Sequence, residues 1–553
     1  MRQISVGSRR SRRQASCYGS LLTITMLSLL TITPLLADPV RKLQKQAAES
    51  KSSNWGHWGP DASKYSSWTS HSNRLVPVYT FGIGLKRYKD ANSLYRNAEK
   101  IKKLYGYLPT GTVNQRATYL DQTDIYRLQW DAVRQGKKYI ILMIFDGMDW
   151  DTARAAAVYA SGQVYKTGRG SGLSFQDYDG CLTDYGFFVS SPHNQGTNTD
   201  VNAQTVINEG GNQRGGYDGL TGGPTPWSSP REHKYLLGKS RRVSHAVTDS
   251  ASSATSMTTG IKTYNAAINV NPNGKPIEPI ARRLQSNRKF AIGVVTSVPI
   301  SHATPAAAYA NNVSRNDYQD LTRDLLGVSS VTHRTNPLNG VDVLIGSGWG
   351  EDKDSDKGQG SNYVAGNKYL DNADLTSIDH QQGGRYVVAL RTPGKDGTKV
   401  LLNAARKAYA EDLRLFGFFG ASGGNLPYQT ADGEFNPHGL KYSPADVSEN
   451  PTLADMTRAA IGRLSKNQEG FWLIIEAGDV DWANHDNNID NSIGSVLSGD
   501  AAFRTVVSWV EKRKAWKDTA LILTADHGHY LQLVNPLALA PKLPAIAKAA
   551  VEE

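Results

Sequence analysis

Cysteine is nearly absent. Among 553 residues only Cys17 and Cys181 occur, so no disulfide framework staples the fold, and without a Cys-x-x-Cys pair or a Cys/His cluster there is no zinc-finger site. Any metal held by this chain sits on His, Asp and Glu. Charge is also sparse, 20% charged against 39% hydrophobic residues, which excludes a disordered chain and leaves enough apolar material for one large core with insertions. Basic excess is small once located. The first 37 residues hold five arginines and no acid, leaving +6 of the formal +11 for the rest, too little in a chain of this length to argue for a specific nucleic-acid partner.

Arg9, Arg10, Arg12 and Arg13 precede an apolar run from Leu21 to Leu36, then Ala37 and the polar Asp38. This is the order of a secretory signal, so residues 1–37 are expected to be a signal peptide cut after Ala37, and the mature protein periplasmic or secreted. Thr23, Thr25, Ser28, Thr31, Thr33 and Pro34 interrupt the run, which is too short and too polar for a span of about 20 residues, so no membrane attachment is expected after cleavage. The paired arginines leave Sec and twin-arginine export both open.

Residues 38–136 are basic and rich in Ser, Lys and Tyr. One helix is expected from Asp90 to Leu104, and no chemistry can be assigned to the region. From Lys137 to the end, 137–553, the pattern changes to strand-length apolar runs: Tyr139 to Phe145, Phe290 to Val295, Val341 to Ile345, Phe471 to Ile475 and Leu521 to Leu523. Strands buried on both faces read as continuous apolar runs, and helix-like stretches separate them. The expectation is an α/β fold, a three-layer sandwich around a mostly parallel central sheet. Stretches 191–232 and 346–384 lack periodicity and read as loop-rich insertions.

Functional groups in such sheets gather beyond the carboxyl ends of the strands. Asp146 closes one run, Glu476 another, and Asp526-His527 a third. Three carboxylates at one sheet edge repel each other unless cations neutralise them. Asp481 and His485 follow at i, i+4, which on a helix turns both toward one ion. A His and carboxylate set suits zinc, and a set of carboxylate and hydroxyl oxygens suits magnesium. Val247 to Thr255 is a run of small residues entering a helix that ends near Gly260. A hydroxyl at such a helix start meets free backbone N–H groups and the positive dipole end.

These segments resemble the active-site blocks of the alkaline phosphatases. Asp146-Gly147-Met148 resembles the first metal aspartate; Thr248-Asp249-Ser250-Ala251 with Lys262-Thr263-Tyr264-Asn265 resembles the nucleophile motif. His302-Ala303-Thr304-Pro305, Ser314-Arg315, then Glu476, Asp481, His485 and Asp526-His527-Gly528-His529 follow in the family's order. The resemblance covers about 137–530 and makes this stretch a phosphatase-like catalytic domain.

It implies two zinc ions and one magnesium. Asp146, Asp526 and His527 would hold the zinc that binds Ser250; Asp146, Thr304 and Glu476 the magnesium; Asp481 and His485 the second zinc, which activates water. Asp249 would orient the phosphate-binding Arg315. Ser250 would attack the phosphoryl group of a phosphate monoester, and the phosphoserine would then be hydrolysed. The resemblance also suggests a homodimer. Pro305 is expected at the first position of a helix.

Two departures stand out. His302 and Trp482 occupy positions where some members carry Asp and Lys. Members usually supply a third ligand to the water-activating zinc from a histidine well downstream of the Asp-His pair, and here only His529 lies beyond His527. Three alternatives follow: an incomplete chain, a substitute histidine with His529 the nearest candidate, or an impaired site. Competing functions are a phosphodiesterase of the same superfamily and a non-catalytic phosphate-binding protein. A sulfatase would need Pro and then Arg shortly after its Cys or Ser, and around Ser250 that pattern is missing.

Overall fold

The computed structural model describes residues 38–540 except 211–212, 241–243 and 438–441. The expected signal segment and Cys17 lie outside the described residues. Ten strands form the central sheet: β1 (Val76–Phe81), β2 (Leu120–Asp121), β3 (Tyr139–Phe145), β4 (Thr183–Val189), β5 (Ala291–Pro299), β6 (Val343–Ser347), β7 (Tyr386–Leu390), β8 (Arg414–Phe418), β9 (Phe471–Ala477) and β10 (Thr519–Thr524). Their order is β7-β8-β6-β5-β9-β3-β10-β1-β4-β2. From β7 to β10 every neighbouring pair is parallel. The apolar runs that announce these strands are buried almost throughout, as a sheet covered on both faces requires.

Register decides what the sheet edge carries. Glu476 of β9 is level with Ile144 of β3 and Thr296 of β5, and Thr524 of β10 is level with Ile144 as well. Asp146, Glu476 and Asp526 therefore leave the sheet together.

β1 is the exception, antiparallel to both β10 and β4. Its first residues consequently lie beside the last residues of β10, Val78 opposite Thr524. The chain just before β1 is thus delivered to the same edge as the three acids. Residues 38–136, which by sequence carry no assignable role, supply β1, β2 and a helix to this sheet and share its core through Val40, Trp55, Val76 and Phe81.

Helices α1 (Thr123–Arg134), α2 (Ser250–Thr259) and α3 (Ala303–Ala307) pack on one another, while α4 (Gly397–Glu411), α5 (Leu453–Leu464), α6 (Asp479–His485) and α7 (Ile489–Arg513) form a second group. Sheet and two helix groups make the expected α/β sandwich. The helix expected from Asp90 to Leu104 is broken instead into 3-10 turns at Asp90–Asn92 and Leu94–Arg96 and a helix at Ala98–Tyr105. Asp90 takes φ +57°, and the Ser93 and Asn97 side chains accept from Tyr95 N and Lys100 N, capping the chain where a single helix would continue. Among the described residues, the stretches 191–232 and 346–384 hold short strands, turns and short helices such as Gly219–Gly222 and Asn372–Ile378. No helix among the described residues is long and apolar enough to cross a membrane.

Candidate metal centre

Asp146 follows β3, and Gly147 follows at φ +72°. A Cβ at Gly147 would stand 2.6 Å from His529 Nε2 and 3.1 Å from the Asp481 Cα, so only glycine lets these strand ends close on each other. The Gly147 amide donates to Asp526 Oδ1 at 3.0 Å, and the His527 amide to the same oxygen at 2.9 Å. Asp146 and Asp526 are fully buried carboxylates side by side. Burial, then Asp526, Asp481 and Glu476, push Asp146 well above the ordinary carboxylate range. Burial raises Asp526 to about 6 and, against the Thr296 hydroxyl, Glu476 to about 8.

The α6 helix begins directly after β9 and places Asp481 and His485 on one face. Asp481 Oδ1 is the hub: His529 Nε2 lies 2.7 Å away, His485 Nε2 3.4 Å, His71 Nε2 3.6 Å and His527 Nε2 3.9 Å. Burial alone would raise this carboxyl, but hydrogen bonds from His529 and His71 hold it well below the ordinary range.

His71 is the residue that sequence reasoning missed. Its Nδ1 faces the Thr248 carbonyl at 3.0 Å, and its ring stacks on His527 with centroids 3.7 Å apart. The available signal was the apolar run Leu75 to Phe81 a few residues later, a strand whose partner nothing local specifies.

Two groups have the spacing of a metal site: His71, Asp481, His485 and His529, and Asp146, Asp481 and His527. The donor sets fit cations. Asp146 Oδ1, Asp526 Oδ2, Glu476 Oε1 and Thr304 Oγ1 are buried without a hydrogen-bond partner, which is costly unless an ion takes their lone pairs. His302 joins neither group; its ring lies between Tyr318 and Trp482, with centroids 6.3 and 5.7 Å away, and burial and Arg315 press its pKa down to about 3.

Ser250 is the first residue of α2, and its Oγ lies 3.2 Å from His527 Nε2. Asp249 is the cap. Its Oδ1 accepts from Ser252 N at 3.0 Å, and its Oδ2 accepts from Arg315 Nη1 at 3.0 Å. Burial would raise this carboxyl, and Arg315 with the backbone donors holds it below the ordinary value. One carboxylate thus fixes both the serine helix and the guanidinium. Thr304 stands on α3, whose cap is His302, so Pro305 occupies the third position rather than the expected first. The first turn of a helix has no intrahelical N–H partners, so proline is tolerated there too.

Fold and site together define an α/β protein with a buried carboxylate and histidine metal centre beside a helix-capping aspartate and its serine. The sequence model of the alkaline phosphatase family matches residues 225–548, and the chain belongs to that family. Alkaline phosphatase 4 of Bacillus subtilis is 30% identical over 283 residues, 51% of this chain and 49% of that protein. The alkaline phosphatase of Escherichia coli K12 is 30% identical over 330 residues, 56% of this chain and 64% of its own length. The chain therefore spans from about half to just under two thirds of these relatives. A cold-active alkaline phosphatase from Shewanella sp. superposes with a TM-score of 0.42 at 21% identity, covering 71% of this chain and 68% of that one.

Proposed function

We propose that this protein is an exported alkaline phosphatase that hydrolyses phosphate monoesters through a phosphoserine on Ser250. The observation that carries the reading is the approach of Ser250 Oγ to His527 Nε2 at 3.2 Å, with Arg315 held by Asp249 at the same helix start. Asp146, Asp526 and His527 would hold one zinc, and Asp146, Thr304 and Glu476 a magnesium. Asp481, His485 and His71 would hold the second zinc, His71 taking the part that the resemblance assigns to a downstream histidine. His529 Nε2 is already engaged with Asp481 Oδ1, so its role is to orient that ligand. When bound, such ions neutralise developing charge and lower the pKa of a hydroxyl or water.

Within this arrangement Arg315 grips two phosphate oxygens with its planar fork. Ser250 Oγ attacks phosphorus in line, the bond to the alcohol breaks, and water later frees the serine. The N-terminal dipole of α2 favours the serine oxyanion and the phosphate alike. The reading as a non-catalytic binder rested on a missing histidine, and His71 is a candidate for that position. Export rests on the arginine-led apolar leader.

The test is hydrolysis of p-nitrophenyl phosphate at alkaline pH by purified residues 38–553, with zinc and magnesium supplied and then removed by chelator. Metal-dependent multiple turnover is expected, with little activity on bis(p-nitrophenyl) phosphate. Faster cleavage of the diester would overturn the monoesterase reading, and phosphate binding without turnover would favour a binding protein.

A further inference from the structure

Ala266 is an alanine at φ +74°. An L-residue with a Cβ resists this left-handed conformation and keeps it only where its surroundings hold it there. It is the third residue of a turn closed by Ala267 N donating to the Tyr264 carbonyl at 3.3 Å. Both of its backbone polar groups are spent on one pair of residues. Its N–H donates to Asp249 Oδ2 at 3.0 Å, and its C=O accepts from Arg315 N at 2.7 Å. Asp249 Oδ2 is the same oxygen that receives Arg315 Nη1. Arg315 is thereby tied at both ends, its backbone to Ala266 and its guanidinium to the Asp249 oxygen that Ala266 also binds.

The neighbour in the turn works on the other side. Asn265 Oδ1 accepts from Asp249 N at 3.2 Å and from the Ser252 hydroxyl at 3.0 Å, while its Nδ2 donates to the Val247 carbonyl at 2.7 Å. The turn is itself anchored: buried Tyr264 donates its hydroxyl to the Val313 carbonyl at 2.9 Å, and Ile268 and Asn312 exchange backbone bonds at 3.0 and 2.9 Å. Asn265 is fixed to the chain that enters α2, and Ala266 to the chain that carries the arginine.

We infer that the Asn265-Ala266 turn is the positioning element that sets Arg315 against the Ser250 helix. This rests on the phosphatase reading above, in which Arg315 binds phosphate. The left-handed geometry is what points the Ala266 N–H and C=O at two different partners at once. A residue that rejects φ > 0 breaks both ties and frees the guanidinium, whereas glycine accepts the same conformation and keeps them. The expected signature is a defect in phosphate affinity, not in the metals or the serine.

The test uses the full chain loaded with zinc and magnesium, with KM, kcat and inhibition by inorganic phosphate measured for Ala266→Val, Ala266→Gly, Asn265→Ala and Arg315→Ala. Ala266→Val is expected to raise KM and the phosphate inhibition constant about tenfold or more while kcat shifts less than threefold, the pattern of lost binding common to ground and transition states. Ala266→Gly is expected to stay within threefold of the parent in phosphate affinity. In an Arg315→Ala background Ala266→Val should add less than twofold, because the turn acts through the arginine. Should Ala266→Val fail to fold, Asn265→Ala carries the same expectation with a smaller loss, about threefold or more. If Arg315→Ala weakens phosphate but the folded turn variants do not, the positioning role is overturned. If Arg315→Ala itself leaves phosphate affinity unchanged, the fault lies in the reading of the site.

Discussion

The Nε2 atoms of His71 and His485 lie 3.2 Å apart although 414 residues separate them along the chain. Each ring turns its Nδ1 to a backbone carbonyl, His71 to Thr248 at 3.0 Å and His485 to Thr69 at 2.7 Å. A carbonyl only accepts, so both Nδ1 atoms carry protons and both Nε2 atoms, which face each other and Asp481 Oδ1, are left to share a proton or a metal ion. A metal ion set between the two Nε2 atoms and Asp481 Oδ1 would satisfy all three at once. The geometry follows from β1, whose antiparallel pairing with β10 brings the chain before Val76 to the edge where Asp526 and His527 emerge.

The first expectation follows directly. His71→Ala should weaken the zinc proposed for His71, Asp481 and His485 by roughly 100-fold or more, since it leaves two of those protein ligands for an ion that prefers three or four. His529→Ala, which removes a partner of a ligand, should cost about 10- to 100-fold. Zinc content after dialysis against a competing chelator measures both. A larger loss in His529→Ala than in His71→Ala would exchange their roles.

Much of this site was legible because its signals are local. Asp146, Glu476 and Asp526 close uninterrupted apolar runs, Asp481 and His485 stand one helical turn apart, and the small residues after Asp249 form the helix that the sequence suggests, ended by Gly260 at φ +75°. His71 had no such signal. It precedes a strand whose second residue is Pro77, a residue that argues against a strand inside a sheet, and whose partner lies more than 400 residues away. Pairing across that distance is decided by the assembled sheet. The break at Asn92 to Asn97 escaped for a related reason, because Ser93 and Asn97 act as caps only once the chain has turned.

The ion pair of Asp121 and Lys262 should matter for stability. Their side chains are completely buried and 2.8 Å apart, and burial pulls the lysine below its ordinary pKa. Lys262 also donates to the Ser191 carbonyl at 2.7 Å. Lys262→Met leaves buried Asp121 without its counter-ion, with only the Tyr95 and Thr123 donors, a change expected to cost about 3–5 kcal/mol. Adding Asp121→Asn should recover part of that loss. Denaturant midpoints of the parent, single and double variants measure it, and a single variant within about 1 kcal/mol of the parent would contradict the role.

Asp317 gives a pH dependence away from the metal residues. Burial, reinforced by Asp320, raises its pKa to about 8; Oδ2 accepts from Asn312 Nδ2 at 2.7 Å and Oδ1 has no partner. A carboxyl that binds its proton more tightly folded than unfolded contributes full stability below the unfolded value near 4. That contribution is withdrawn as pH rises from there through about 8. Asp317→Asn carries no proton to lose, so its melting temperature should match the parent near pH 5 and exceed it by a few degrees at pH 9. A constant difference across that range would refute the assignment.

Metal removal should invert the effect of one substitution. Asp146, Asp526 and Glu476 are buried together with lone pairs that find no donor. Without cations their charges repel in a medium that screens poorly, and Asp146 is pushed well above the ordinary range by burial and then by Asp526, Asp481 and Glu476. In chelated protein Asp146→Asn removes the cost of keeping that carboxyl either charged beside its neighbours or protonated, and should therefore raise the melting temperature. In metal-loaded protein the same change deletes a ligand proposed for one zinc and for the magnesium, so the stabilisation by bound metal, which grows as the logarithm of ligand concentration over Kd, should shrink. Thermal scans of parent and variant at pH 8, with zinc and magnesium or with chelator, therefore should cross: the variant more stable when stripped, the parent more stable when loaded. If the variant is less stable in both states, Asp146 supports the fold in its own right rather than through the cations it faces.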